Sequence, residues 1–127
     1  MKLAIDTNRY ADLFRGVPEV IEVVRSAQAI VVPFVVLGEL RAGFTAGNRQ
    51  AENEAELVRF VRSPRVRVVH SDDETARIYA QLWNQLRTQG TPIPPTDIWI
   101  AALVLQHGLT LYSRDPHFGH LPQVPRL

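Results

Sequence analysis

The chain has 127 residues, 46% of them apolar and 21% charged, and a net charge of +1. That length suits one domain with its own hydrophobic core, and the near-neutral charge gives no overall pull toward nucleic acid. The absence of cysteine excludes disulfides, thiolate zinc sites and cysteine nucleophiles, and it fits a reducing cytoplasm.

Lys2 to Ile5 is a short apolar run ending in the turn-forming triplet Asp6-Thr7-Asn8, which predicts a buried strand. The acid at position 6 interrupts the apolar start, so no secretory signal is expected, and no apolar run is long enough to span a membrane. Arg9 to Phe14 predicts a short helix stopped by Gly16 and Pro18, and Glu19 to Ala27 a second one with Val20, Ile21, Val23 and Val24 on its apolar face. Ala29 to Val32 is a second buried strand. Pro33 opens a helix through about Ala46. Asn48 or a neighbour caps a polar helix to about Arg62, ahead of Pro64 and a third strand over Val66 to Val69. Ser71-Asp72-Asp73-Glu74 matches a capping box, with the helix behind it running to Gln89 and ending at Gly90. After the proline-rich loop Thr91 to Pro95, Thr96 is expected to cap a helix from Asp97 to His107, closed by Gly108. Thr110 to Tyr112 is a fourth strand, Pro116 to Gly119 a turn or short helix, and the tail from Leu121 has room for a short edge strand only.

Strands alternating with helices predict an α/β fold with a mainly parallel sheet. Ligands in such sheets bind beyond the carboxyl ends of the strands. Asp6 stands at the end of the first strand and Asp115 just past the end of the fourth, so both fall on that edge. Each has a simpler reading as a turn residue, Asp115 through its Asp-Pro step. Glu39 shares a helical face with Val35, Val36, Ala42 and Gly43, the face expected to pack inward. A carboxylate there is costly unless it is bound to a cation or paired with an arginine. Asp97 stands in the first turn of a helix that is apolar nearly all round, from Ile98 to Leu105. Such a helix is buried, which makes its polar start its functional end, although the helix dipole alone favours an acid there by about 0.3–1 kcal/mol. Four carboxylates meeting in one place repel one another unless a cation offsets them. Oxygen-rich sites suit Mg²⁺ or Mn²⁺, which activate water against a phosphodiester.

Asp6-Thr7-Asn8, Glu39-Leu40, Asp97 followed by Ile98-Trp99-Ile100-Ala101-Ala102, and Ser113-Arg114-Asp115 with His117-Phe118 together resemble a PIN domain. More narrowly, the chain resembles the VapC toxins of bacterial and archaeal toxin–antitoxin pairs, over its whole length and in the same order. The resemblance implies a three-layer α/β/α fold in a single domain over residues 1–127, and a Mg²⁺- or Mn²⁺-dependent endoribonuclease that forms a homodimer and is neutralised by a cognate antitoxin. It places Asp6, Glu39, Asp97 and Asp115 at the acidic metal-site positions, with Asp6 and Asp97 the most direct ligands. Thr7, Asn8 and Ser113 fall at positions that orient those acids by hydrogen bonds. Thr96 where many relatives carry Asn, and Pro94-Pro95 in place of a glycine-containing approach, are departures that bear on substrate fit.

Lys2 is the only lysine; the other thirteen basic residues are arginines, whose planar fork suits phosphate. Arg9, Arg41 and Arg114 adjoin the site motifs and are candidate RNA phosphate contacts, with internal pairing as the alternative. Trp99 and Tyr112 are expected to pack in the core. The four histidines show no metal-ligand spacing and receive no role. An antitoxin segment carrying arginine or lysine is expected to cover the acidic pocket. A phosphorelay receiver domain wants a lysine late in the chain, which is absent; the glycine fingerprint of a dinucleotide-binding fold and the phosphate-cradling P-loop are absent too. The remaining alternatives are a catalytically silent PIN-like module that binds RNA or protein, and the same chemistry directed at structured or single-stranded DNA.

Overall fold

Why this chain alternates strand and helix is visible in its burial. A computed structural model describes residues 1–127. In chain order the elements are β1 (Lys2–Ile5), α1 (Thr7–Phe14), α2 (Pro18–Ser26), β2 (Ala29–Pro33), α3 (Phe34–Ala46), α4 (Gln50–Val61), β3 (Val66–Val69), α5 (Asp73–Gln89), α6 (Pro95–Gln106) and β4 (Thr110–Tyr112), followed by a 3-10 turn over Pro116–His120. The four strands form one parallel sheet in the order β3-β2-β1-β4. Leu3, Ala4, Ile5, Ile30, Val31 and Val32 are each at most 1% exposed, as parallel strands covered on both faces by helices must be. The expected α/β/α layering is what the sequence produced.

Register aligns the site. Ile5 pairs with Tyr112 and Pro33 with Val69, so the residues that follow β1 and β4, Asp6 and Ser113, leave the sheet side by side. The free side of β4 is covered by the tail: Leu111 N–H donates to Pro125 O at 2.8 Å, and Leu127 N–H to Leu111 O at 2.9 Å. Pro122 and Pro125 keep this to a single bridge, Leu111 to Arg126.

Helix α6 is buried along Ile98, Ile100, Ala101, Ala102, Leu103 and Val104, and α5 packs along it. Two cap expectations need correction. The box opening α5 is one residue later than Ser71: Asp72 accepts from Thr75 N–H at 3.1 Å, and Thr75 Oγ1 accepts from Asp72 N–H at 2.9 Å. Thr75 wins over Glu74 because its buried hydroxyl also donates to Gln106 Oε1 on α6. Thr96 does not cap α6, which begins one residue earlier at Pro95, where a missing N–H costs nothing. At α4 it is the neighbour of Asn48, Arg49, that stands at the N-cap, and no side chain bonds the open N–H groups.

Gly90 ends α5 at φ +72°, a left-handed conformation that a Cβ opposes. Gly90→Ala is expected to destabilise the fold by about 1 kcal/mol, lowering the melting temperature by roughly 4 °C. Gly43→Ala has the opposite sign, because Gly43 lies inside α3 with open space around an added Cβ and alanine is the better helix former by about 0.5–1 kcal/mol. Thermal melts of both variants check the pair; equal shifts in one direction would contradict it.

Candidate functional site

The carboxyl edge of the sheet gathers acids from four separate elements. Asp6 ends β1 in extended backbone and caps α1: its Oδ1 accepts from Arg9 N–H at 2.9 Å. Its other oxygen, Oδ2, accepts from the Ser113 hydroxyl beyond β4. The turn role and the site role therefore coexist in one carboxylate, one oxygen each. Ser113 Oγ in turn accepts from Asp115 N–H at 3.0 Å. Asp115 caps the 3-10 turn, its Oδ1 accepting from His117 N–H at 2.9 Å. His117 Nδ1 lies 2.8 Å from Asp97 Oδ2 and 3.0 Å from Asp115 Oδ1. Both neighbours only accept, which assigns the imidazole proton to Nδ1. Asp6, Ser113, Asp115, His117 and Asp97 are thus one unbroken chain of hydrogen bonds. Glu39 joins from α3, accepting from Thr7 Oγ1 at 2.6 Å.

Electrostatics tie the same groups together. Burial pushes the Asp6 carboxyl above its ordinary value, against the Ser113 and Arg9 hydrogen bonds, and the charge of Asp115 adds to the rise. Burial likewise raises Asp97, opposed by the His117 hydrogen bond and reinforced by Asp115 and Glu39. Carboxylate oxygens of Asp97 and Asp115 lie within 4.8 Å of each other, with the His117 ring beside both. The arginine ion pairs all go elsewhere, so no guanidinium occupies the place between the acids. Clustered, partly desolvated carboxylates without an arginine fit a divalent cation.

Not every sequence expectation lands here as framed. Glu39 is exposed, as are Ala42 and Gly43; the inward stripe of α3 is Val36 and Leu40. Glu39 therefore stands at the mouth of the site, held by Thr7 and not by burial or a core arginine. Asn8 is exposed and its side chain bonds to none of the acids. His117, given no role from spacing between histidines, sits between two acids. The signal lay in its offset of two residues from Asp115 across Pro116, which a tight turn converts into proximity. Arg41 forks onto Glu54 of α4, with both bonds at 2.9 Å, and Arg9 and Arg114 both turn toward Asp12. Tyr112 is buried in the core as expected, whereas Trp99 is half-buried and lies outside the core, stacked on Tyr79 with ring centroids 4.2 Å apart.

The family model described as "PIN domain" matches residues 3–124. Among curated proteins, the chain is 27% identical to "VapC ribonuclease Y4jK" of Sinorhizobium fredii, over 89% of this chain and 86% of that protein. It is 28% identical to "Ribonuclease VapC4" of Mycobacterium tuberculosis, over 73% and 72% respectively. Among solved structures it is similar to FitAcB from Neisseria gonorrhoeae, with a TM-score of 0.82 and 27% identity over 98% of this chain and 96% of that one. VapBC-1 from nontypeable Haemophilus influenzae shares the fold, with a TM-score of 0.88 and 23% identity over 100% and 97%.

Proposed function

The chain belongs to the PIN-domain family, and from that premise we propose that it is a metal-dependent endoribonuclease, the toxin of a toxin–antitoxin pair. The observation that carries this is the continuous network joining Asp6, Ser113, Asp115, His117 and Asp97 with no guanidinium among them. Asp6 and Asp97 would be the direct ligands of Mg²⁺ or Mn²⁺, as the family resemblance implies, with Asp115 and Glu39 completing the acid set. When bound, such an ion offsets the carboxylate charge, polarises the scissile phosphodiester and activates water for attack. The chain's own residues fix the geometry. Ser113 orients Asp6, Thr7 orients Glu39, and His117 holds Asp97 and Asp115 at one spacing.

Ribonuclease activity comes to this reading from the relatives' names, and an antitoxin partner from structural neighbours that are toxin–antitoxin complexes. A homodimer is supported by α3, which exposes Phe34, Gly38 and Ala42 as one row four residues apart. No helix is long and apolar enough to cross a membrane; the proposed place of action is the cytoplasm.

Purified chain incubated with single-stranded RNA or DNA, in Mg²⁺, in Mn²⁺ or in EDTA, tests the proposal. RNA cleavage with either ion and none in EDTA is expected. Tight RNA binding without cleavage in any ion would make the chain a silent binding module, and cleavage of DNA alone would overturn the substrate.

A further inference from the structure

The acids are not the only charged cluster on this edge. Asp12 of α1 has a side chain only 9% exposed, and three guanidinium groups converge on it. Arg114 reaches it with Nε at 3.0 Å and Nη2 at 3.4 Å. Arg9 reaches it at 3.4 Å and Arg15 at 3.3 Å. Three positive charges converge on one carboxylate, and even with the Asp6 charge, which also acts on Arg9 and Arg114, positive charge stays in excess. One forked arginine suffices to neutralise a buried carboxylate; gathering three sets like charges against one another, a cost that an anionic ligand relieves.

Position gives that excess a use. Arg9 is the residue whose backbone N–H bonds Asp6, and Arg114 lies between Ser113 and Asp115. The cationic cluster and the acid network therefore hang on the same two turns, those following β1 and β4. Arg9 is fixed, its guanidinium carbon 4.2 Å from the centre of the Tyr112 ring and its side chain only 20% exposed. Arg114 and Arg15 are open to solvent, with side chains 50% and 68% exposed. Nη1 of Arg114 and Nη2 of Arg15 bond nothing in the protein. We propose that Asp12 gathers Arg9, Arg15 and Arg114 into a binding site for the phosphates of single-stranded RNA that flank the scissile one, with Asp12 as the positioning residue. This rests on the ribonuclease reading. A scissile phosphate drawn to a cation at the acids carries neighbours on the same strand, and the β1/β4 flank presents fixed guanidinium groups to them. The Arg114 hydrogen bond holds the Asp12 carboxyl below the ordinary carboxylate value, so the anchor stays charged at neutral pH.

Binding is measured on an Asp6→Asn background, with a fluorescent single-stranded RNA across a salt series; KM and kcat are measured with Asp6 intact. Arg15→Ala and Arg114→Ala are each expected to weaken RNA binding and to flatten the plot of log affinity against log salt by about one unit. In the cleaving chain they raise KM and leave kcat within about twofold, as loss of uniform binding does. Asp12→Asn frees the arginines without removing them, so the salt dependence stays as steep as in the parent or steeper, while KM rises and kcat again stays within about twofold. Wild-type affinity and slope in both arginine variants would overturn the proposal and leave the cluster as a clamp between α1 and the β4 turn. Should Asp12→Asn fail to fold, the exposed Arg15 still decides. If the parent chain cleaves no RNA, the nuclease reading fails, and the binding arm still reads the phosphate site.

Discussion

Asp6→Asn is expected to reduce RNA cleavage by at least about a hundredfold, because even the outer partners of metal ligands are worth about 10–100-fold and the proposed role of Asp6 sets it one step closer to the ion. The same substitution leaves the fold no less stable. Asp6 is only 6% exposed, and burial holds its carboxyl above the ordinary value, so keeping it ionised at neutral pH works against folding. An amide of the same shape removes that cost. Its oxygen still accepts from Arg9 N–H, and its NH₂ donates to Ser113 Oγ once that hydroxyl turns. The expected pair of results is therefore lost cleavage with a melting temperature, measured in EDTA, equal to or above that of the parent. Loss of activity accompanied by a lower melting temperature would assign Asp6 to the fold; undiminished cleavage would remove it from the mechanism. A residue whose charge is kept at the expense of stability is what a functional site requires.

Much of this site was legible in the sequence because its supports are local. Leu3 to Ile5 and Ile30 to Val32 are unbroken apolar runs, and such runs are buried strands whose carboxyl ends must carry any ligand site. Asp6 and Asp115 could be placed on that edge without coordinates, and Asp97 could be placed at the start of a helix too apolar to be anything but buried. Glu39 was misread because α3, from Phe34 to Ala46, is apolar or small on every side, so helical periodicity offers no single inward face. Only packing against the rest of the fold selects Val36 and Leu40. The arginine pairings were beyond reach for a different reason. Arg114 meets Asp12 across 102 positions, and nothing local to either residue specifies the other. The shift of the α5 cap from Ser71 to Asp72 has the same origin, since the deciding hydroxyl of Thr75 is chosen by Gln106, 31 positions away.

Proton and metal ion should compete for this site, and that competition is measurable as stability. The Asp6 and Asp97 carboxyls are raised above the model-peptide value of 3.8, so the folded chain holds protons there that the unfolded chain has released. Their contribution to stability is full below about pH 3.8 and is lost as pH rises through the folded values. Asp12, Asp72 and Glu54 run the other way: their lowered carboxyls contribute above the ordinary value and lose that contribution as pH falls. The absolute melting curve therefore mixes both signs, and the diagnostic quantity is the gap between melts with and without a divalent ion. At neutral pH an ion at about a hundred times its dissociation constant adds roughly 2.7 kcal/mol, about 10 °C for a chain of this size. As the pH falls toward 4 the raised Asp6 and Asp97 carboxyls take up protons, the ion has less to bind, and the gap closes. Asp97→Asn shrinks the gap at neutral pH, and in EDTA it also removes the part of the pH slope that Asp97 supplies. Melts in Mn²⁺ and in EDTA between pH 4 and 7 test this directly. A gap independent of pH, or one that Asp97→Asn leaves unchanged, would place any bound ion somewhere other than among these carboxylates.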